Sequence, residues 1–266
     1  MEQTQQTGQI EQMRQQSRSQ RVLAIQQIWD DPPGYLGEIL AEHGIACDTV
    51  HAERGPLPDH PGDYGALLVL GGPQHVGEDE RYPYLRQEQA LIRQAVEQDI
   101  PFLGICLGGQ LLANVLGAEV KRHDFVELGF YQVQLTEAGQ RDPLFEGLPG
   151  YQQVIHWHED VFGLPAGAVL LATSPSAPHQ AFRYGRCAYG LQYHIELTPA
   201  MLDLWLYTPD YREEIISLLG PDAIERLEQE RARFYPLYRQ HTRLVFENFL
   251  RLAGLLPAPS GHEPGR

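Results

Sequence analysis

Apolar residues fall into short runs set between polar and glycine-rich stretches. Arg21-Val-Leu-Ala-Ile-Gln26, Ala66-Leu-Leu-Val-Leu70 and Phe102-Leu-Gly-Ile105 have the length of buried strands, and Cys47–His51 adds a weaker one. Residues 34–44 read as a helix ended by Gly44, and residues 85–98 carry Leu85, Leu91, Ile92 and Val96 on one helical face. Strands alternating with helices imply a parallel sheet covered on both faces. Ligands in such sheets bind beyond the carboxyl ends of the strands. Gly71-Gly72-Pro73 and Cys106 both fall at such ends.

The rhythm then changes. Gly129–Leu135 alternates apolar and polar for most of its length, as a half-exposed strand does. Further strand candidates are Gln153–His156, Ala168–Ala172, Gln180–Arg183 and Cys187–Tyr193, an antiparallel or mixed region grafted onto the parallel one. Thr198 suits an N-cap and Pro199 the first position of a helix carrying Met201, Leu202, Leu204 and Trp205. Residues 209–253 read as helical. Pro221 fits the start of one segment, and Pro236 is expected to break or kink the run. Leu237, Leu244, Val245, Phe249 and Leu252, interrupted by His241, make a stripe that predicts packing on the domain. The fold class expected is α/β: a doubly wound, mostly parallel central sheet of flavodoxin-like type, with added antiparallel strands and a C-terminal helical extension. Residues 1–20 are expected as a disordered Gln-rich tail, 21–206 as the domain, 207–256 as a helical extension packed on it, and 257–266 as a frayed tail.

Charge narrows the partners. The 266 residues carry a net charge of −15 with no long Lys/Arg run, which argues against nucleic acid and anionic lipid. No run of about 18 apolar residues exists, so no membrane span is expected. The first twenty residues lack the apolar core of a secretory signal. Three cysteines, Cys47, Cys106 and Cys187, make neither a full disulfide framework nor a zinc motif, and a cytoplasmic setting is expected.

Cys106 sits where the 102–105 strand ends and a helix begins, inside Gly104-Ile-Cys-Leu-Gly108. This is the pattern of a nucleophile elbow, in which glycines let the chain turn sharply and expose the nucleophile at a helix N-terminus. An inert core cysteine is the alternative. A cysteine nucleophile needs a base, and the base an orienting group. His194 and Glu196 are the strongest pair, because residues i and i+2 of an extended segment point one way and both could face one cleft. The acid comes last along the chain, unlike the order in α/β-hydrolases. The N–H groups of Leu107 and Gly72 are candidate oxyanion donors, although Gly71-Gly72-Pro73 alone also fits a plain tight turn. His156, His158, Glu159 and Asp160 invite a metal reading. Spacing fixes no third ligand there, and a thiolate nucleophile needs no metal; no metal or other cofactor is expected.

Together these motifs resemble class I glutamine amidotransferases. Gly104-Ile-Cys-Leu-Gly-Gly-Gln110 is similar to that family's nucleophile motif, Leu70-Gly-Gly-Pro73 to its oxyanion loop, and Tyr193-His-Ile-Glu196 to its His-Pro-Glu signature. The resemblance covers about residues 21–206, with the closest likeness to free-standing members similar to the glutaminase domain of GMP synthetase. It implies Cys106 as nucleophile, His194 as base, Glu196 as orienting acid, and Gly72 and Leu107 as oxyanion donors. Gln110 matches the motif glutamine that helps bind substrate. His156-Trp-His-Glu-Asp160 looks like the family's His-Gly-Asp stretch, which makes Trp157, His158 and Asp160 further substrate-binding candidates. Ile195 replaces the usual Pro and Glu159 the usual Gly. The implied reaction is thioester-mediated hydrolysis of glutamine or another γ-glutamyl amide. No P-loop motif is present in the sequence. Three readings follow: a glutaminase subunit handing ammonia to a separate synthase, a free-standing γ-glutamyl hydrolase, or a non-catalytic regulatory or binding subunit.

Overall fold

A computed structural model describes residues 20–258. Residues 1–19 and 259–266, which include most of both expected tails, lie outside the described residues. The apolar runs become strands of one nine-stranded sheet. They are β1 (Arg21–Gln26), β2 (Ala46–His51), β3 (Ala66–Val69), β4 (Phe102–Ile105), β5 (Val120–Leu135), β6 (Tyr151–Phe162), β7 (Val169–Thr173), β8 (Ala181–Tyr184) and β9 (Ala188–Leu191). The spatial order is β2-β1-β3-β4-β9-β8-β7-β5-β6. Every pairing from β2 through β9 is parallel, and every pairing from β9 through β6 is antiparallel. The chain moves outward from β1 to β2 on one side and to β3 and β4 on the other. The carboxyl ends of β1 and β3 therefore flank a crevice of the kind that binds ligands in open α/β sheets.

The helices are α1 (Gly34–Glu42), α2 (Tyr84–Glu97), α3 (Leu107–Val115), α4 (Glu137–Arg141), α5 (Pro199–Tyr207), α6 (Pro209–Leu219) and α7 (Ala223–Leu252), with a 3₁₀ turn at Pro143–Phe145. Because side chains alternate along a strand, the parallel part has two cores. Val22, Ala24, Leu68 and Leu103 pack with Leu36 and Ile39 of α1 and Val245, Phe246 and Phe249 of α7. Leu23, Ile25, Leu67 and Phe102 pack on the other face with Leu85 and Ile92 of α2 and Leu111 and Leu112 of α3.

Three sequence expectations need adjustment. The short strands expected at 129–135 and 153–156 are parts of the long antiparallel pair β5–β6, with a register shift between Arg122 and Glu127. The 156–160 stretch therefore lies inside a strand. Pro236 does not break the C-terminal run: α7 continues through it. A proline here forgoes one backbone bond and crowds the preceding turn. The buried face on both sides, Ile224 and Leu227 before it and Tyr238, Val245, Phe246 and Phe249 after it, holds the helix together. That face also differs from the expected stripe. Leu237, Leu244 and Leu252 are only half-buried, whereas His241 is buried and its Nδ1 accepts the Gln153 backbone N–H at 2.9 Å. The α5 start follows the sequence, with Pro199 at its first turn and Thr198 Oγ1 accepting the Met201 N–H at 3.2 Å. No helix among the described residues is long and apolar enough to cross a membrane.

Candidate active site

β4 delivers Cys106 to the crevice in a backbone conformation that side chains rarely adopt, φ 50° and ψ −108°. Such a conformation costs about 1–3 kcal/mol and persists only where its surroundings over-determine it. Here the Cys106 N–H donates to Leu191 of β9 at 2.8 Å, and its carbonyl accepts the Gln110 N–H at 2.9 Å as α3 begins. Helix and sheet approach so closely that a Cβ on Gly108 would lie 2.2 Å from the Val69 carbonyl oxygen. The positive end of α3 thus meets the thiol.

His194 arrives from the segment after β9. Its N–H donates to Ile155 of β6 at 2.8 Å, an isolated antiparallel bridge. Its Nδ1 hydrogen-bonds Glu196 Oε1 at 2.5 Å, and the imidazole and the Cys106 side chain border one pocket. Burial disfavours the charged imidazole, but the Glu196 carboxylate and the Cys106 thiolate outweigh it and hold the His194 pKa well above the ordinary histidine value. Glu196 lies on the same side as His194, as the i, i+2 spacing implied, but it does not reach the pocket. It is fully buried, behind the ring. Ile195, in place of the family's proline, brings an N–H that a proline lacks, and this donates to Glu196 Oε2 at 2.8 Å.

A pocket of about 250 Å³ opens over this line, and Gly72, Cys106, Gln110, Trp157, His158, Asp160 and His194 all border it. Leu107 begins α3 with its side chain buried in the core beneath. The loop after β3 has no room for side chains. A Cβ on Gly71 would lie 2.8 Å from His194 Cε1, and one on Gly72 would lie 2.5 Å from both Gln27 Cβ and Gln74 Oε1.

The remaining candidates are engaged in ways the sequence did not specify. Gln110 Nε2 donates to the Asp160 carbonyl at 3.0 Å, tying α3 to β6. The Asp160 carboxylate takes His75 Nδ1 at 2.7 Å. Trp157 packs edge-on to Trp205 and Tyr211, with its carbonyl 4.0 Å from Cys106 Sγ. Glu159 turns to the rim and pairs with Arg122 and His75. The His158 ring contacts Glu127 and His156 through Nε2, both at 3.0 Å, and the Asp160 carbonyl through Nδ1. Glu127, His156 and His158 bring three ligand-type atoms within 4.8 Å of one another. Hydrogen bonds already occupy that cluster: Ser176, Gln180 and His158 all reach the Glu127 carboxylate. Although burial pushes Glu127 upward, these bonds and the nearby His156 and His158 prevail and hold it at about 2.

Several residues around the site escaped the sequence reading, two of them just after β1. Asp30 and Asp31 follow β1, at the sheet's switch point, and border the pocket. Asp31 lies against His194 and Glu196. Burial and the Glu196 carboxylate hold its carboxyl well above the usual range. The available signal was position, at a strand end in a parallel sheet, and not residue pattern.

Comparison with known proteins gives the family. The profile described as glutamine amidotransferase class-I matches residues 39–205. The glutamine amidotransferase-like protein YfeJ of Salmonella typhimurium is 43% identical over 173 residues, covering 64% of this chain and 69% of that protein. GMP synthase [glutamine-hydrolyzing] of Thermosipho melanesiensis is 34% identical over 135 residues, which span half of this chain but only 24% of the synthase. A glutamine amidotransferase structure from Thermotoga maritima superposes with TM-score 0.78 at 32% identity, covering 88% of this chain and 97% of that one. Another from Methylobacillus flagellatus also gives 0.78, at 28% identity, covering 93% and 99%. The chain belongs to the class I glutamine amidotransferase family.

Proposed function

We propose that this protein hydrolyses a γ-glutamyl amide, glutamine among them, through a thioester on Cys106. The observation that carries the reading is Cys106 and His194 bordering one pocket, with the His194 imidazole hydrogen-bonded behind to Glu196. His194 takes the thiol proton, and the thiolate attacks the amide carbonyl carbon. The carbonyl oxygen becomes an oxyanion held by the N–H groups of Leu107 and Gly72; loss of one such donor costs roughly 3–4 kcal/mol. His194 returns the proton to the leaving nitrogen as the carbon–nitrogen bond breaks. Water, deprotonated by His194, then attacks the thioester, releasing the γ-carboxylate and restoring the thiol. Glu196 keeps the imidazole oriented and stabilises its charged form. Gln110, Trp157, His158 and Asp160 shape the glutamyl side of the pocket.

Purified protein assayed for glutamate and ammonia release from glutamine tests the reading. Turnover lost in Cys106→Ala supports it; equal turnover in Cys106→Ala sinks it. A reaction that appears only when a synthase partner is added assigns the chain as an ammonia-supplying subunit. The intact Cys106–His194–Glu196 line disfavours a silent regulatory subunit.

A further inference from the structure

The leaving nitrogen takes its proton from His194, so whatever it carries extends past the imidazole into the rest of the pocket. The ends of β1, α5 and α6 wall that region. The Trp205 ring stands edge-on to His194 at 5.4 Å, and Asp31 lies against the same imidazole. Asp30, Tyr211 and Glu214 continue the wall. Tyr211 and Glu214 lie beyond the segment matched by the family profile.

The chemistry of this wall is one-sided. No Lys or Arg among the described residues borders the pocket. Asp30 meets the Tyr211 hydroxyl at 2.6 Å, and Glu214 has no basic partner among the described residues. Burial and the neighbouring Glu159 raise the Glu214 pKa, the response of a carboxylate lacking a countercharge. Two acceptors also stand unpaired on side chains that border the pocket: Asp31 Oδ1 and Gln74 Oε1, on residues only 5% and 4% exposed. Oriented acceptors call for an N–H donor. Trp157 joins Trp205 and Tyr211 with ring centroids 4.9 and 5.7 Å away. Aromatic rings beside uncompensated carboxylates recognise ammonium groups.

We infer that the pocket beyond His194 is a subsite for a cationic amine, and that the preferred substrate is a γ-glutamyl amide whose leaving group carries an ammonium, such as a γ-glutamyl diamine. This rests on the hydrolase reading above. Water is consumed, the carbon–nitrogen bond breaks, the departing nitrogen receives the proton held by His194, and the distal ammonium leaves unchanged. Asp30 and Glu214 supply the countercharge, Trp205 and Tyr211 the ring surfaces, and Asp31 Oδ1 an acceptor.

The probes are the mono-γ-glutamyl amide of 1,4-diaminobutane and the uncharged γ-glutamyl n-pentylamide of similar length. Both share the glutamyl part, so a difference reports the leaving group. The full chain should favour the cationic amide in kcat/KM by about ten- to a hundredfold. Glu214→Gln combined with Asp30→Asn should bring the ratio within about threefold. Calorimetry on Cys106→Ala reads the same preference as affinity without turnover. Equal kcat/KM and equal affinity for the two amides would overturn the subsite while hydrolysis stands. A preference unmoved by both substitutions would overturn it as well. Preferential binding of the cationic amide with neither amide turned over by the unmutated chain supports the subsite and removes the hydrolase reading instead.

Discussion

The Tyr238 hydroxyl accepts the backbone N–H of Leu197 at 2.9 Å, one residue beyond Glu196 and fully buried. From the other side, the Tyr35 N–H donates to the Glu196 carbonyl at 2.7 Å. The candidate acid is thus clamped between α1 and α7, and the C-terminal helix becomes part of the site's frame. Tyr238→Phe leaves the Leu197 N–H buried without a partner, at a cost of about 1–3 kcal/mol. The expected result is a melting temperature lower by roughly 3–10 °C, with kcat reduced more than KM is raised. Thermal melts and steady-state kinetics check both. An unchanged melt with unchanged kcat contradicts the clamp.

Gly71 borders the imidazole more closely than Gly72 does. A methyl group there meets His194 Cε1 at 2.8 Å and Cys106 Cβ at 3.4 Å. Gly71→Ala must therefore displace His194 or the loop, and a displacement on the order of 1 Å near the reacting groups costs about a hundredfold in rate. Kinetics with glutamine, beside a melt to separate misfolding from misplacement, should give that loss in a folded protein. Near-normal kcat/KM would mean that the β3 loop is not packed against the site as described.

Glu88, fully buried on α2, accepts a hydrogen bond from Gln27, which lies under Gly72. Burial pushes its pKa from 4.5 up to about 8, against the pull of the Gln27 bond. Between those values the unfolded chain has released this proton and the folded chain still holds it, so stability falls as pH rises. From pH 5 to 7.5 the loss amounts to about 3 kcal/mol for this group. Glu88→Gln removes the titration. The variant should therefore gain stability relative to the parent as pH rises across that window, measured by urea unfolding at both ends. A stability difference between the two proteins that does not vary with pH contradicts the assignment.

Much of the site was legible because its parts are local. The strand, the Gly-x-Cys-x-Gly turn and the following helix are contiguous, and backbone geometry alone obliges glycines there. His194 and Glu196 were legible as a pair on one side, and their side chains do meet; spacing did not give their depth, with Glu196 fully buried while His194 borders the pocket. Glu127 could not be foreseen beside His156 and His158, since the β5–β6 register that brings it there shifts between Arg122 and Glu127. Asp30, Tyr211 and Glu214 come together only because the β1 end and α6 converge over the pocket. Pro236 misled for the opposite reason: its local rule was correct in sign, and the long buried face of α7 outweighed it.

The central claim is that Cys106 forms a thioester with a γ-glutamyl group. The direct measurement is mass spectrometry on protein quenched in acid during steady-state turnover of its preferred amide, followed by peptide mapping. The account predicts one γ-glutamyl adduct on the peptide containing Cys106, labile to hydroxylamine and missing in Cys106→Ala. Turnover that proceeds normally in Cys106→Ala, or an adduct mapped to another residue, would contradict it.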